Sequence, residues 1–175
     1  MAFDAFLKLD GIKGESVDPK NKDEIDVLSF SWGAEQTGVP PTGGVAGKVK
    51  FNEFSITKKT DASSPMLMLH CADGAHIKEA NFVVRKAGGV QLEFLKIKLT
   101  DVMISSYKPH GSDIPLLPGA DTATGGASAG DEIPSEQVSL SFAKVEVSYQ
   151  SQGPDGKAQG SPILAGWDVK ANKKV

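Results

Sequence analysis

Val138-Ser-Leu-Ser-Phe-Ala-Lys-Val-Glu-Val-Ser-Tyr149 is the stretch that decides the fold class. Apolar side chains alternate at Val138, Leu140 and Phe142, then change phase and alternate at Val145, Val147 and Tyr149. Alternation with period two marks a β-strand. A change of phase within it means one of two things. Either a bulge re-aims the strand, or the strand is apolar on opposite faces in its two halves. The same change recurs where Val49 and Phe51 give way to Phe54 and Ile56, and where Val90, Leu92 and Phe94 give way to Leu95, Ile97 and Leu99. Under the second reading each strand turns half of its apolar side outward, and an outward apolar surface usually means a partner.

Working outward, the rest of the chain reads as further short strands separated by turn residues. Ala5, Leu7 and Leu9 form a first strand closed by Gly11. In Ile25-Asp-Val-Leu-Ser-Phe-Ser-Trp-Gly33 the large residues Leu28, Phe30 and Trp32 share one face, and Val27, Ser29 and Ser31 the other. Strands are expected over 48–58, 76–86, 90–105, 136–150 and 163–170. One helix interrupts them at Ser63-Ser-Pro-Met-Leu-Met-Leu-His-Cys-Ala-Asp-Gly74, with Ser64 as N-cap, Pro65 in the first turn and Gly74 as a left-handed stop. It is too short to stand alone, so its apolar side must lie on the sheet. The expected fold is mainly β: a single β-barrel domain over residues 1–175, with one short flanking α-helix and extended loops. Residues 36–47 hold four Gly and two Pro, which makes them a projecting loop, and 108–134 read as a long flexible loop.

A chain of 175 residues suits one core, and its 19 Lys and Arg against 22 Asp and Glu are interleaved, leaving no cationic stripe for nucleic acid or a lipid surface. No apolar run approaches the ~18 residues needed to insert in a membrane. The single cysteine, Cys71, cannot pair internally. The start, Met1-Ala-Phe-Asp-Ala-Phe-Leu-Lys8, lacks a basic region followed by a long apolar one, which argues against a Sec signal.

Matches to catalytic and ligand motifs have the wrong context. Gly126-Ala-Ser128-Ala-Gly130 has nucleophile-elbow spacing, but it lies in a Gly/Ala/Ser/Thr stretch rather than between a strand and a helix. Ser55-Ile-Thr-Lys58 and Ser141-Phe-Ala-Lys144 fit Ser-x-x-Lys but sit in strands without the companion motifs. Gly43-Gly-Val-Ala-Gly-Lys-Val49 is one residue short of a phosphate loop and has Val where a hydroxyl must hold the metal. His70, Cys71 and His76 lack a fourth ligand. The sequence therefore offers no catalytic residues, no cofactor site and no metal site, and the reading is of a protein that is not an enzyme. Two other classes remain open: a monomeric binding module, in which every phase change is an internal bulge, and a secreted enzyme built around Ser128 or His76.

Several segments together resemble one family. They are Leu9-Asp-Gly-Ile-Lys-Gly-Glu-Ser16, Glu24-Ile-Asp-Val-Leu-Ser-Phe-Ser-Trp-Gly33, Gly47-Lys-Val49, Thr57-Lys58 with Ser63-Ser-Pro65, His76-Ile-Lys-Glu-Ala80, Arg85-Lys-Ala-Gly-Gly89, Ile104-Ser-Ser-Tyr107 and Gly166-Trp-Asp168. In this order they resemble the haemolysin co-regulated protein (Hcp) family of bacterial type VI secretion. The resemblance implies a β-barrel assembled as a homo-hexameric ring, with rings stacked into a hollow tube that a contractile sheath expels. A valine-glycine repeat spike protein tips the tube, and small effector proteins travel inside it. It also implies assembly in the bacterial cytoplasm followed by Sec-independent release. The chain departs from the family pattern between Tyr107 and Pro134, where it has a longer connection, and is expected to be the plain tube subunit without a toxin fused after Lys174-Val175.

For such a subunit two sites are expected. Ser29 and Ser31, opposite the large face, line the lumen or meet cargo. Gln36, Thr37, Gly38, Val39, Pro40, Pro41, Thr42, Gly43, Gly44, Val45, Ala46 and Gly47 make ring-to-ring contacts.

Overall fold

A computed structural model describes residues 3–36, 47–86, 91–111 and 133–175. The strands are β1 (Phe3–Leu9), β2 (Ile25–Val27), β3 (Ser29–Ser31), β4 (Ala34–Gln36), β5 (Val49–Phe51), β6 (Phe54–Lys59), β7 (His76–Lys86), β8 (Glu93–His110), β9 (Ser135–Tyr149), β10 (Ile163–Asp168) and β11 (Lys173–Lys174). The helix α1 spans Ser64–Asp73. The main sheet runs β11-β10-β9-β8-β7-β1-β2, with antiparallel neighbours throughout. β8 covers one edge of β9. The other edge is shared: β6 pairs with Ser135 to Leu140 and β10 with Lys144 to Tyr149. β3 then pairs with β6, and β4 with β5 form a separate two-stranded ribbon.

These ladders stop short of the closed barrel expected from the sequence. β2 holds β1 and β3 holds β6, and a single residue, Leu28, separates the two short strands. That residue also corrects the expected face pattern. Ile25 and Val27 are buried, Leu28 turns out to solvent, and Phe30 and Trp32 pack against the core from the other phase. Leu28 is thus on neither large-residue face: its backbone N–H is spent on Thr57 O at 2.8 Å while the chain crosses from β1 to β6.

The phase changes do not give outward half-strands: Ile56, Ile97, Leu99 and Val145, which follow them, are buried. In β8 the register with β7 slips between Val84 and Arg85, where Leu95 pairs with Val84 but Glu93 pairs with Arg85, so Phe94 is the extra residue. In β9, Val138, Leu140 and Val145 are all buried in the same core. They change phase beside Asp101 of β8, which takes a left-handed φ of 55°. The change between Phe51 and Phe54 marks the passage from the ribbon into the main sheet. Val90 lies outside the described residues. One core unites β1, β2, β6, β7, β8, β9 and α1. At its centre Phe82 lies 4.7 Å from Phe30 and 5.1 Å from Phe54, ring centre to ring centre.

The helix begins one residue earlier than its sequence signals imply. Ser63 is the N-cap and makes no side-chain cap, while Gly74 ends the helix with φ 67°. Ser64 does not cap because its hydroxyl is claimed elsewhere: it donates to Glu136 Oε2 at 2.9 Å and accepts from the Asp61 N–H at 3.0 Å. Leu67 is the residue that α1 buries in the core.

The loop between β1 and β2 is tied down by Arg85, whose guanidinium bonds Asp18 and Asp4 and lies 4.8 Å over the Phe6 ring. The Arg85 guanidinium holds the Asp18 carboxyl down to about 2, against some desolvation and with help from the N–H groups of Lys20 and Asn21. A carboxylate whose folded pKa is depressed adds stability above its ordinary value, and that stability is lost as pH falls from about 4 towards 2. Thermal melts across this range should show Asp18→Asn flattening the acid side of the stability curve. A variant curve parallel to the parent would contradict this.

Candidate functional site

The strands place Ser29 and Ser31 on the outer face, exposed, with Phe30 between them turned to the core. Paired residues in an antiparallel ladder share a face, so the registers extend the site across the sheet. Ser31 pairs with Ser55, Ser55 with Ser139, and Ser139 with Ser106, giving one row of hydroxyls over β3, β6, β9 and β8. A second row runs Ser29, Thr57, Gln137 and Lys108. The Ser55 and Ser139 hydroxyls meet at 2.9 Å, and Ser105 donates to Ser139 O at 3.1 Å. The first row is a strip of small hydroxyl side chains backed by Phe30, Phe54, Ile56 and Val138, and the second row ends on the charged, exposed Lys108. Sequence reasoning found the first member of each row only. The signal for the others is the alternation of Ser and Thr with apolar residues in Phe54-Ser-Ile-Thr57 and Val138-Ser-Leu140, but which strands lie side by side is set by the fold.

Beside Ser31 and Ser55 an open cleft of about 460 Å³ is walled by Trp32 and Phe51, with Lys50 and Glu53 at its rim. Phe51 is held edge-on to Phe142 at 6.0 Å, which fixes the ribbon on the sheet. Of the expected ring-stacking residues, Gln36 ends β4 and pairs with Val49, and Gly47 precedes β5; Thr37 to Ala46 lie outside the described residues. The ribbon therefore presents the ends of this segment at one rim of the strip. The expected long loop begins later than position 108. Lys108, Pro109 and His110 complete β8 by pairing with Gln137, Glu136 and Ser135, and 112–132 lie outside the described residues. Ser128 is among the latter.

The remaining candidates are not brought together. His70 Nδ1 lies 2.9 Å from Met66 O, and His76 Nδ1 lies 2.6 Å from Asp101 Oδ1, while Lys170 donates to the other oxygen, Asp101 Oδ2, at 2.8 Å. Among the described residues, no group of three or more His, Cys, Asp or Glu is arranged to hold a metal, and no helix is long and apolar enough to cross a membrane. The chemistry of the strip is neither acid-base nor nucleophilic. It is a wall of hydroxyl side chains with Lys108 at one end.

Among the described residues the fold is mainly β with one docked helix and a hydroxyl-lined outer wall. A family model described as "Type VI secretion system effector, Hcp" matches residues 6–149. The protein hcp1 of Pseudomonas aeruginosa is 42% identical over 175 residues, covering 98% of each chain. The crystal structure of Hcp1 from Salmonella typhimurium superposes with a TM-score of 0.77 at 38% identity, covering 100% of both chains. The structure of a type six secretion system protein superposes with a TM-score of 0.84 at 31% identity, covering 99% of this chain and 100% of the other. The chain belongs to the Hcp family of the type VI secretion system. It is a tube protein of the kind that assembles as hexameric rings and is secreted, and it is not an enzyme.

Proposed function

We propose that residues 1–175 act as one ring-forming unit whose hydroxyl strip, led by Ser29 and Ser31, faces the hollow of the ring. The strip is the observation that supports this. Large apolar residues behind it fill the core, so the row of serines in front carries side chains too small to hold a passing protein tightly. Segment 25–31 completes the subunit as a working barrel, because it holds β1 with one end and β6 with the other. Residues 36–47, carried at the rim by the β4–β5 ribbon, make the contacts from one ring to the next. The partners in this reading are further copies of the chain, a contractile sheath, a valine-glycine repeat spike protein and small effector proteins held inside the ring. Assembly takes place in the bacterial cytoplasm before release.

The test is Ser31→Arg, which puts a long cation on the wall without touching the core. Negative-stain images should show intact rings, and the amount of effector recovered with them should fall severalfold. Intact rings that retain effector at the parental level would refute the lumen assignment.

A further inference from the structure

Among the described residues the outer edge of β10 is left open over Ile163 to Ala165. β10 pairs with β9 along its whole length, but on its other side β11 covers only Trp167 and Asp168, followed by a bond from Val175 N–H to Gly166 O at 3.2 Å. Among the described residues nothing pairs with Ile163, Leu164 and Ala165 on that side. Residues two apart in a strand point their N–H and C=O the same way. Since Gly166 O points towards β11, both backbone groups of Leu164 point to the open edge.

The side chains make this edge unusual. Proteins that stay single blunt open edges with Lys, Pro, bulges or very short strands. β11 carries such lysines, Lys173 and Lys174, but the open portion is Ile163-Leu-Ala165, without a charge. Ile163 is 65% exposed and Leu164 74%, on opposite faces of the strand, and Tyr149 beside Ile163 and Val175 near Leu164 are also exposed. On one face a cleft of about 270 Å³ lies between Leu164, Val175 and the Lys98 and Glu146 side chains. Strand addition explains all of this at once. An incoming strand takes the Leu164 backbone groups, covers Ile163 and Leu164 on the two faces, and places a side chain in the cleft.

We infer that the Ile163–Ala165 edge of β10 is where the next copy of this chain adds an extended strand during ring assembly. The inference rests on the ring reading above, and a second copy is the occupant because the family assembles from copies of itself. The contact is heterologous, one edge against a different one, because an edge that paired with its own counterpart would close at two copies.

The experiment compares Leu164→Pro and Leu164→Ala with the parent by light scattering on a gel-filtration peak. Proline removes the edge N–H, which has no partner among the described residues, so thermal melts of dissociated protein should change by only a few degrees. Alanine keeps the N–H and loses only apolar area. Leu164→Pro should shift the mass from the hexamer to the 18.4 kDa subunit, while Leu164→Ala should stay largely hexameric or need severalfold more protein to assemble. A folded Leu164→Pro variant that assembles as well as Leu164→Ala overturns strand addition and leaves the ring reading standing. A parent that stays at one copy overturns the ring reading itself, and a parent that stops at two overturns the heterologous contact. Should Leu164→Pro melt much lower than the parent, Leu164→Lys, which keeps the backbone, is the deciding variant: loss of the ring supports the inference and retention overturns it.

Discussion

Glu136→Ala is expected to lower stability by about 3–5 kcal/mol, the loss typical when one member of a buried ion pair is removed. Glu136 and Lys58 are both fully buried, 3.0 Å apart. Lys58 Nζ also reaches Asp61 Oδ1 at 2.8 Å and its neighbour's carbonyl, Lys59 O, at 2.7 Å. Glu136 accepts from Tyr107 at 2.8 Å and from Ser64 at 2.9 Å, so its loss leaves the phenol and the hydroxyl without this acceptor and the buried ammonium with one carboxylate, Asp61, in place of two. Burial pushes the Tyr107 phenol up to about 12, assisted by the Glu136 charge. Burial works against the Glu136 carboxylate too, yet the bonds from Tyr107, Lys58 and Ser64 keep it below its ordinary value. Its contribution is therefore present at neutral pH and lost as acid protonates it. Urea melts at neutral pH measure the loss directly. A cost under about 1 kcal/mol, the size of a surface pair, would show that the cluster is not carrying the load assigned to it. Replacing both partners with apolar residues, as in Lys58→Met with Glu136→Leu, should recover part of the loss, because no buried charge is left opposite an empty place.

Gly14→Ala should be nearly as damaging, with a loss of about 3 kcal/mol and a fall in Tm of roughly 10 °C for a domain of this size. A Cβ at position 14 would sit 2.4 Å from Glu24 O and 2.8 Å from Ile25 Cα. Both are backbone atoms. They cannot rotate away, and they are held by the Gly14 N–H to Asp23 O bond at 2.8 Å and the Ser16 N–H to Glu24 O bond at 3.0 Å. The clash would push Ile25, a fully buried residue of β2, out of register with β1. Gly111→Ala is the control, since among the described residues nothing lies within 4 Å of its Cβ position. Equal melting temperatures for the two variants would contradict the close approach.

The strands were legible because period-two alternation is a local consequence of the pleat. Phe54, Ile56, Val138 and Leu140 are apolar every second residue, and all four are buried. The helix was legible from Pro65 and Gly74, but its cap was not, because Ser64 is bonded to a residue 72 positions away. The phase changes were visible as events and not as outcomes. A change of phase in sequence is the same whether the strand bulges or turns its side chains outward, and only the slipped pairing at Phe94 and the left-handed Asp101 distinguish the two. Lys58 and Glu136 lie 78 positions apart, and nothing near either of them announces that they are buried against each other.

The sequence by itself determined the class of strand-rich chain, the positions of most strands, the one short helix and, through its family segments, membership of a ring-forming family. These rest on spacing and residue type over a few neighbours. The tertiary structure decided which hydroxyls make one wall, which charges share one buried cluster and which edge stays open at Leu164. Each of those depends on pairing between strands far apart in the chain, and the side of a sheet that a residue shares with its neighbour is fixed only when the register is.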